Sequence, residues 1–200
     1  MHVMTNFDET ILTSLVRYGE GDAIVRAFTR EHGRISVFCR NAFRPSQKRG
    51  SVVQAPARGR IAFKSRATGM AALSELDLGA YTHALASNLR GFALAAYATE
   101  LAEIFIAEHD PAPQVFDLLD IFLKQAAESE VATADIRAFE FQLLGLCGLL
   151  GEDEASTTDL KQMAAVFVRH LKQLKQTPLK SLAFFKQTLT KNPVVATIEP

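Results

Sequence analysis

The stretch ETILTSLVRYGEGDAIVRAFTREHGRISVFCR, residues 9–40, decides the fold. Residues 9–18 are rich in β-branched and apolar side chains, GEGD at 19–22 supplies a Gly/Asp turn, and AIVRAFTREH (23–32) follows as a partner strand. Gly33 then punctuates the chain, and RISVFCR (34–40) alternates. In a strand, successive side chains leave opposite faces, so Arg34, Ser36, Phe38 and Arg40 point one way and Ile35, Val37 and Cys39 the other.

Working outward, NAFRPSQKRGS (41–51) mixes Pro, Ser and Gly with basic residues and reads as a mobile loop. ARGRIAFKSR (57–66) alternates again, with Arg58, Arg60, Lys64 and Arg66 on one face and Ile61 and Phe63 on the other. ATGMAALSEL (67–76) supplies a turn and a fifth strand. Five short antiparallel strands predict a small closed barrel over residues 1–77, with the OB-fold as leading candidate and an SH3-like barrel still open on pattern alone.

From about Leu78 the period becomes helical, with Ala, Leu, Glu and Phe recurring at i, i+3 and i+4. Helices are predicted near 80–88, 91–109, 113–129, 133–150, 156–175 and 178–190. Pro111, Pro113 and Pro178 fall at the breaks, and Thr133 and Thr158 are expected as N-caps. Loops this short predict one packed bundle over 78–200, so the chain as a whole is an α+β protein of two domains.

Net charge is zero, and that average hides a segregation. Residues 1–70 carry 12 basic and 5 acidic side chains, 71–160 carry 3 and 16, and 161–200 carry 7 and 1. No acid occurs from His32 to Ser74. Charge in blocks points to a polyanionic partner. Arg26, Arg30, Arg34, Arg40, Arg44, Lys48, Arg49, Arg58, Arg60, Lys64 and Arg66 are the candidate phosphate contacts, and Phe38 on the same polar face would stack a base.

Other chemistry has little support. Cys39 and Cys147 form no CxxC pair, which fits a reducing compartment. His2, His32, His83, His109 and His170 lack ligand-spaced neighbours. Glu100/Glu103 and Asp117/Asp120 are i, i+3 pairs that would hold a metal in principle, but solvent-facing helix charge explains them more simply. No GxSxG, GxxxxGK[ST] or GxGxxG occurs. The expectation is therefore a non-enzymatic protein without metal or cofactor. No signal peptide and no span of about 20 apolar residues is visible, so a cytoplasmic location away from membranes is expected. Near the C-terminus, Arg169, Lys172, Lys175 and Lys180 surround Phe184, a combination suited to an acidic peptide ending in an aromatic residue.

The segment YGEGDAIVRAFTREHGRISVFCRNAFRPSQKR resembles the N-terminal signature of the bacterial RecO recombination mediators. The matching pieces are Tyr18-Gly19-Glu20, then Thr29 with Glu31-His32-Gly33, then Arg44-Pro45-Ser46. AFEFQLLGLCGLLG (138–151) resembles that family's Phe-Glu-x-x-Leu-Leu helix, and TPLKSLAFF (177–185) its C-terminal Leu-Lys-Ser segment. Many members carry a four-cysteine zinc module after the Phe-Glu helix; here GEDEASTTDLKQ stands in its place and Cys147 has no cysteine partners, so that module is expected to be absent. The resemblance implies an OB-fold followed by a helical domain. It implies binding of single- and double-stranded DNA, strand annealing, and help in loading RecA onto strands coated by single-strand-binding protein. It also implies contacts with RecR and with the acidic tail of single-strand-binding protein, for which the C-terminal cations are the candidate site, and a nucleoid-associated location. Rival readings are an RNA-binding OB protein, a helical scaffold whose barrel docks an acidic protein, and a metal-dependent nuclease using helix carboxylates.

Overall fold

A computed structural model describes residues 5–44, 52–65, 69–79, 81–128, 130–174 and 178–181. Five strands come first: β1 (Thr5–Tyr18), β2 (Asp22–Thr29), β3 (Gly33–Cys39), β4 (Ala57–Lys64) and β5 (Ala71–Leu78). They close into a barrel in the order β1-β2-β3-β5-β4. β1 makes closure possible because it is long enough to serve two neighbours. Thr5–Leu12 pair with β4, and Thr10–Tyr18 pair with β2. A register shift between Leu12 and Ser14 bends the strand between these two jobs. On the far side, β3 meets β5 in parallel through Val37↔Ala71 and Phe38↔Ala72.

β1 starts four residues before the predicted strand. Its polar opening, Thr5-Asn6-Phe7-Asp8, concealed it. The buried Asp8 carboxylate is satisfied there by the backbone N–H groups of Glu31 and His32 at 2.9 and 3.2 Å and by His32 Nδ1 at 2.7 Å. The alternation read in β3 is observed: Ile35, Val37 and Cys39 are buried while Arg34, Ser36 and Phe38 are half-buried. With Leu12, Val25, Ile61, Phe63 and Leu76, these inward residues fill the barrel.

Helices follow as α1 (Tyr81–Ser87), α2 (Leu89–Phe105), α3 (Pro113–Glu128), α4 (Thr133–Leu146), α5 (Glu152–Ala155) and α6 (Leu160–Leu174). α2 is the hub, buried on most sides, and Asn88 caps it by accepting from the Gly91 N–H at 3.0 Å. The predicted caps of the later helices are displaced. Thr133 lies inside α4, where Asp135 instead accepts from the Ala132 N–H at 2.8 Å. At α6, the Asp159 carboxylate rather than Thr158 accepts from the Lys161 N–H at 2.8 Å. Among the described residues, no helix is long and apolar enough to cross a membrane.

The helical core does not stop at the helices. Ile11 and Phe28, on the outer face of the barrel, belong to the same buried cluster as Leu101, Phe116 and Leu119. Each such side chain contributes about 1.5–3 kcal/mol on burial. Gly33 sets how closely the parts approach. Its φ of +68° suits glycine, and a Cβ there would lie 2.4 Å from the Asp110 carbonyl oxygen.

Inside the bundle, Tyr97, Arg137 and Glu140 form a buried polar triad. The Tyr97 hydroxyl donates to Glu140 at 2.5 Å, and Arg137 pairs with the other carboxylate oxygen at 2.5 Å. Burial pushes the Glu140 carboxyl up in pKa, with Arg137 opposing it. The triad ties α2 to α4. Glu140→Ala would leave the Arg137 charge buried and uncompensated, and should cost about 3–5 kcal/mol. Tyr97→Phe should cost about 1–2 kcal/mol. Urea unfolding of the two variants checks this; an unchanged midpoint for Glu140→Ala would remove the triad from the list of stabilising contacts.

Candidate nucleic-acid interface

Among the described residues, strand parity places Arg34, Arg58 and Arg60 on the outside of the barrel, but not all of that outside faces water. Arg30 pairs with Asp117 of α3 through two contacts, one of them Nη2 to Oδ2 at 2.9 Å. The hydrogen bond to Asp117 raises the Arg30 pKa above its ordinary value. Arg58 reaches Asp120 of α3 with Nε at 3.0 Å and Glu9 of β1 with Nη2, and its side chain is only 14% exposed. Burial pulls the Arg58 pKa down, but the carboxylates of Asp120 and Glu9 more than offset this. Both guanidinium groups lie over Phe116, at 5.9 and 5.2 Å from its centroid. Tyr81 donates to the same Asp120, and burial followed by that carboxylate holds its phenol strongly protonated.

Arg34 and Arg26 are drawn to α2. Arg34 Nη1 donates to the Glu103 carbonyl oxygen at 2.7 Å. The Glu103 carboxylate accepts from Thr13 and Ser14 at 2.5 and 2.7 Å and stands 3.6 Å from Arg26 Nη1. Glu103, Asp117 and Asp120 therefore face the barrel, contrary to the expectation of solvent-facing charge. Glu100 is also engaged, accepting from the backbone N–H groups of Lys180 and Ser181 at 2.9 and 2.8 Å. The i, i+3 spacing was the usable signal. It puts two carboxylates on one helix face, as docking onto a cationic wall requires.

The predicted single basic face is divided as well. β3 and β4 are not neighbours; β5 separates them on one side and β1 with β2 on the other. Arg60 is exposed, but its in-register neighbours are Glu9 and Asp77. Lys64 is exposed at the end of β4. Arg40 and Arg44 are exposed beyond β3. Lys48, Arg49 and Arg66 lie outside the described residues.

Among the described residues, the end of the β2–β3 face away from the helices is open. There an outward row runs in register from Val16 through Ile24, Phe38 and Ala72 to Lys64. The next row is Ser14, Arg26 and Ser36. Arg26 is 51% exposed, and Phe38 is half-buried beside it. Tyr18, the last residue of the predicted first strand but not among the candidate site residues, stands one pair beyond the row, opposite Asp22. It is 60% exposed and meets the Phe38 ring edge-on at 5.6 Å. This open end combines cations, an aromatic pair and apolar surface on a rigid sheet.

The C-terminal candidates are only partly drawn together. Arg169 pairs with Glu154 of α5, Lys172 is exposed on α6, and the Lys180 backbone is held by Glu100. Lys175 and Phe184 lie outside the described residues. Among the described residues, no group of three or more His, Cys, Asp or Glu side chains is placed to hold a metal.

A five-stranded barrel ordered β1-β2-β3-β5-β4, followed by helices, defines an OB-fold protein with an α-helical domain. Residues 4–81 match the recombination protein O N-terminal domain and residues 86–150 its C-terminal domain, so the chain belongs to the RecO family. It is 29% identical to the DNA repair protein RecO of Myxococcus xanthus over 143 residues, 72% of this chain and 59% of that protein. It is 30% identical to the DNA repair protein RecO of Bacillus subtilis over 135 residues, 68% and 52% of the two chains. The matched region thus spans a little over half the length of these curated relatives.

The division of the arginines into engaged and exposed groups has a direct consequence. Arg58→Ala should cost about 2–4 kcal/mol of stability, because Asp120 and Glu9 lose a half-buried partner. Arg60→Ala, on the open surface, should cost about 0.5 kcal/mol or less. Denaturant midpoints of the two variants measure this, and equal losses would refute the division.

Proposed function

We propose that this chain acts in recombinational DNA repair by binding single- and double-stranded DNA on its barrel and annealing complementary strands. The observation that carries this is the open end of the β2–β3 face, where Arg26, Arg40 and Lys64 border an aromatic and apolar row. In OB-folds the strand 2–3 face and its flanking loops are the usual nucleic-acid surface. Membership of the RecO family supports the same reading.

Annealing brings two polyanions together. A cationic surface lowers their repulsion and raises their local concentration, so no nucleophile, metal or nucleotide is needed and the activity proposed is non-enzymatic. The proposal extends to assisting RecA on strands coated by single-strand-binding protein, with RecR as partner. The acidic tail of single-strand-binding protein is assigned to the cations around Arg169, Lys172, Lys175 and Lys180, with Phe184 as the apolar contact. The proposed location is cytoplasmic, on the nucleoid.

The structure changes the expected strength of the electrostatic term. The sequence offers eleven candidate phosphate contacts. Arg30 and Arg58 are held by helix carboxylates, and Arg26, Arg40, Arg44 and Lys64 are described cations exposed at the surface around the open face. These four contacts alone contribute a log–log salt slope of about −2.8 on single strands, a loss of about 50-fold between 50 and 200 mM salt, and any contact made by Lys48, Arg49 or Arg66 steepens it. Fluorescence anisotropy with a labelled oligonucleotide checks the slope, and Arg26→Ala should flatten it by roughly 0.7. A flat salt response would overturn the proposal. Competition with RNA and strand annealing in the presence of single-strand-binding protein test the substrate and the activity.

A further inference from the structure

We propose that Tyr18 and Phe38 form a subsite for unpaired bases, which gives the barrel face its preference for single strands. This rests on the nucleic-acid reading above and specifies the ligand of the same surface.

The outer face of a solvated sheet is ordinarily polar. Here Val16 is 44% exposed and starts a row that Ile24, Phe38 and Ala72 continue across three further strands, while Tyr18, 60% exposed, stands in the neighbouring row opposite Asp22 and reaches across to the Phe38 ring. Three inter-strand steps cover about 14 Å. That length accommodates about two or three bases. Tyr18 stands nearly perpendicular to Phe38, with 87° between the rings. The two aromatics make a corner rather than a flat wall. One ring face supports a base while the other ring limits its sliding.

The charge around the row identifies the occupant. Arg26 lies in the adjacent row, Lys64 ends the row through its pairing with Ala72, and Arg40 lies two residues beyond Phe38 along the strand. Asp22, in register with Tyr18, is the acid at that end, and its carboxylate accepts from the Asn41 N–H at 2.9 Å. The cations around the rest of the apolar strip complement a chain with flat apolar rings on an anionic backbone. A single strand offers both together. A duplex has its base faces stacked inside and presents mainly phosphates, so it would engage the cations and leave the strip unused. Glu103 sits 3.6 Å from Arg26, on the helical side of the same patch, and marks where the favourable surface ends.

The test compares a single-stranded oligonucleotide with the duplex of the same sequence, at one salt concentration, using the full chain. Tyr18→Ala should weaken single-strand binding roughly fivefold to a hundredfold, the range for loss of one stacked base. Duplex binding should change less than about twofold. Tyr18→Phe should keep single-strand affinity, because the ring rather than the hydroxyl makes the contact. Phe38→Leu, which keeps the apolar volume, should also weaken the single strand selectively. Equal loss for single strand and duplex, or no loss for either with the unsubstituted chain still binding, would overturn the subsite alone. If the unsubstituted chain bound neither form, the broader nucleic-acid reading would fall and the subsite with it.

Discussion

The molecule is organised by the contact between the acidic face of α3 and the barrel wall. Arg30 and Arg58 meet Asp117 and Asp120, and between them Phe116 packs against Phe28. The arrangement joins two kinds of stabilisation that reinforce each other. Ile11 and Phe28 exclude water from the seam, and a seam with less water strengthens the charge pairs at its edge. The guanidinium groups in turn lie over the Phe116 ring. Gly33 allows the connection after α2 to approach β3 closely enough for the seam to close. These contacts orient the barrel. One end of its β2–β3 face turns to the helices, and the other is left to solvent.

That geometry gives the blocks of opposite charge in the sequence two meanings. A basic stretch followed by an acidic one suggests a polyanionic partner, and the same blocks are also what two parts of one chain need in order to dock. The docking use is seen at Arg30 and Arg58, and the partner use is the one proposed for Arg26. Arg30 and Arg58 serve the fold, while Arg26 sits at the boundary, half-exposed and only loosely held by Glu103.

Much of the fold was legible because periodicity reports burial directly. The alternation of 34–40 identified β3, and the shift to i, i+3, i+4 spacing identified the helices. β1 was read too short because Asn6 and Asp8 are poor strand residues. Asp8 is tolerated through the N–H groups of Glu31 and His32 and the His32 ring, long-range contacts that no local pattern announces. The site was less legible for a related reason. Alternation tells which side of a strand a residue occupies, but not what covers that side. Arg58, Arg60 and Lys64 share a parity, yet a helix covers Arg58, Glu9 and Asp77 flank Arg60, and Lys64 is exposed. Tyr18 was read as the end of the first strand and not as a site residue, although its parity with Val16 sets it on the open face.

The division of labour among the arginines is most directly visible in their own side-chain signals. Arginine Nε–Hε resonances can be followed by NMR as a short oligothymidylate is added. Arg26 and Arg40 should shift progressively, while Arg30 and Arg58, held by Asp117 and Asp120, should stay where they are. Shifts at Arg30 and Arg58 equal to those at Arg26 would contradict this picture, because the DNA would then be displacing the contact on which the fold depends.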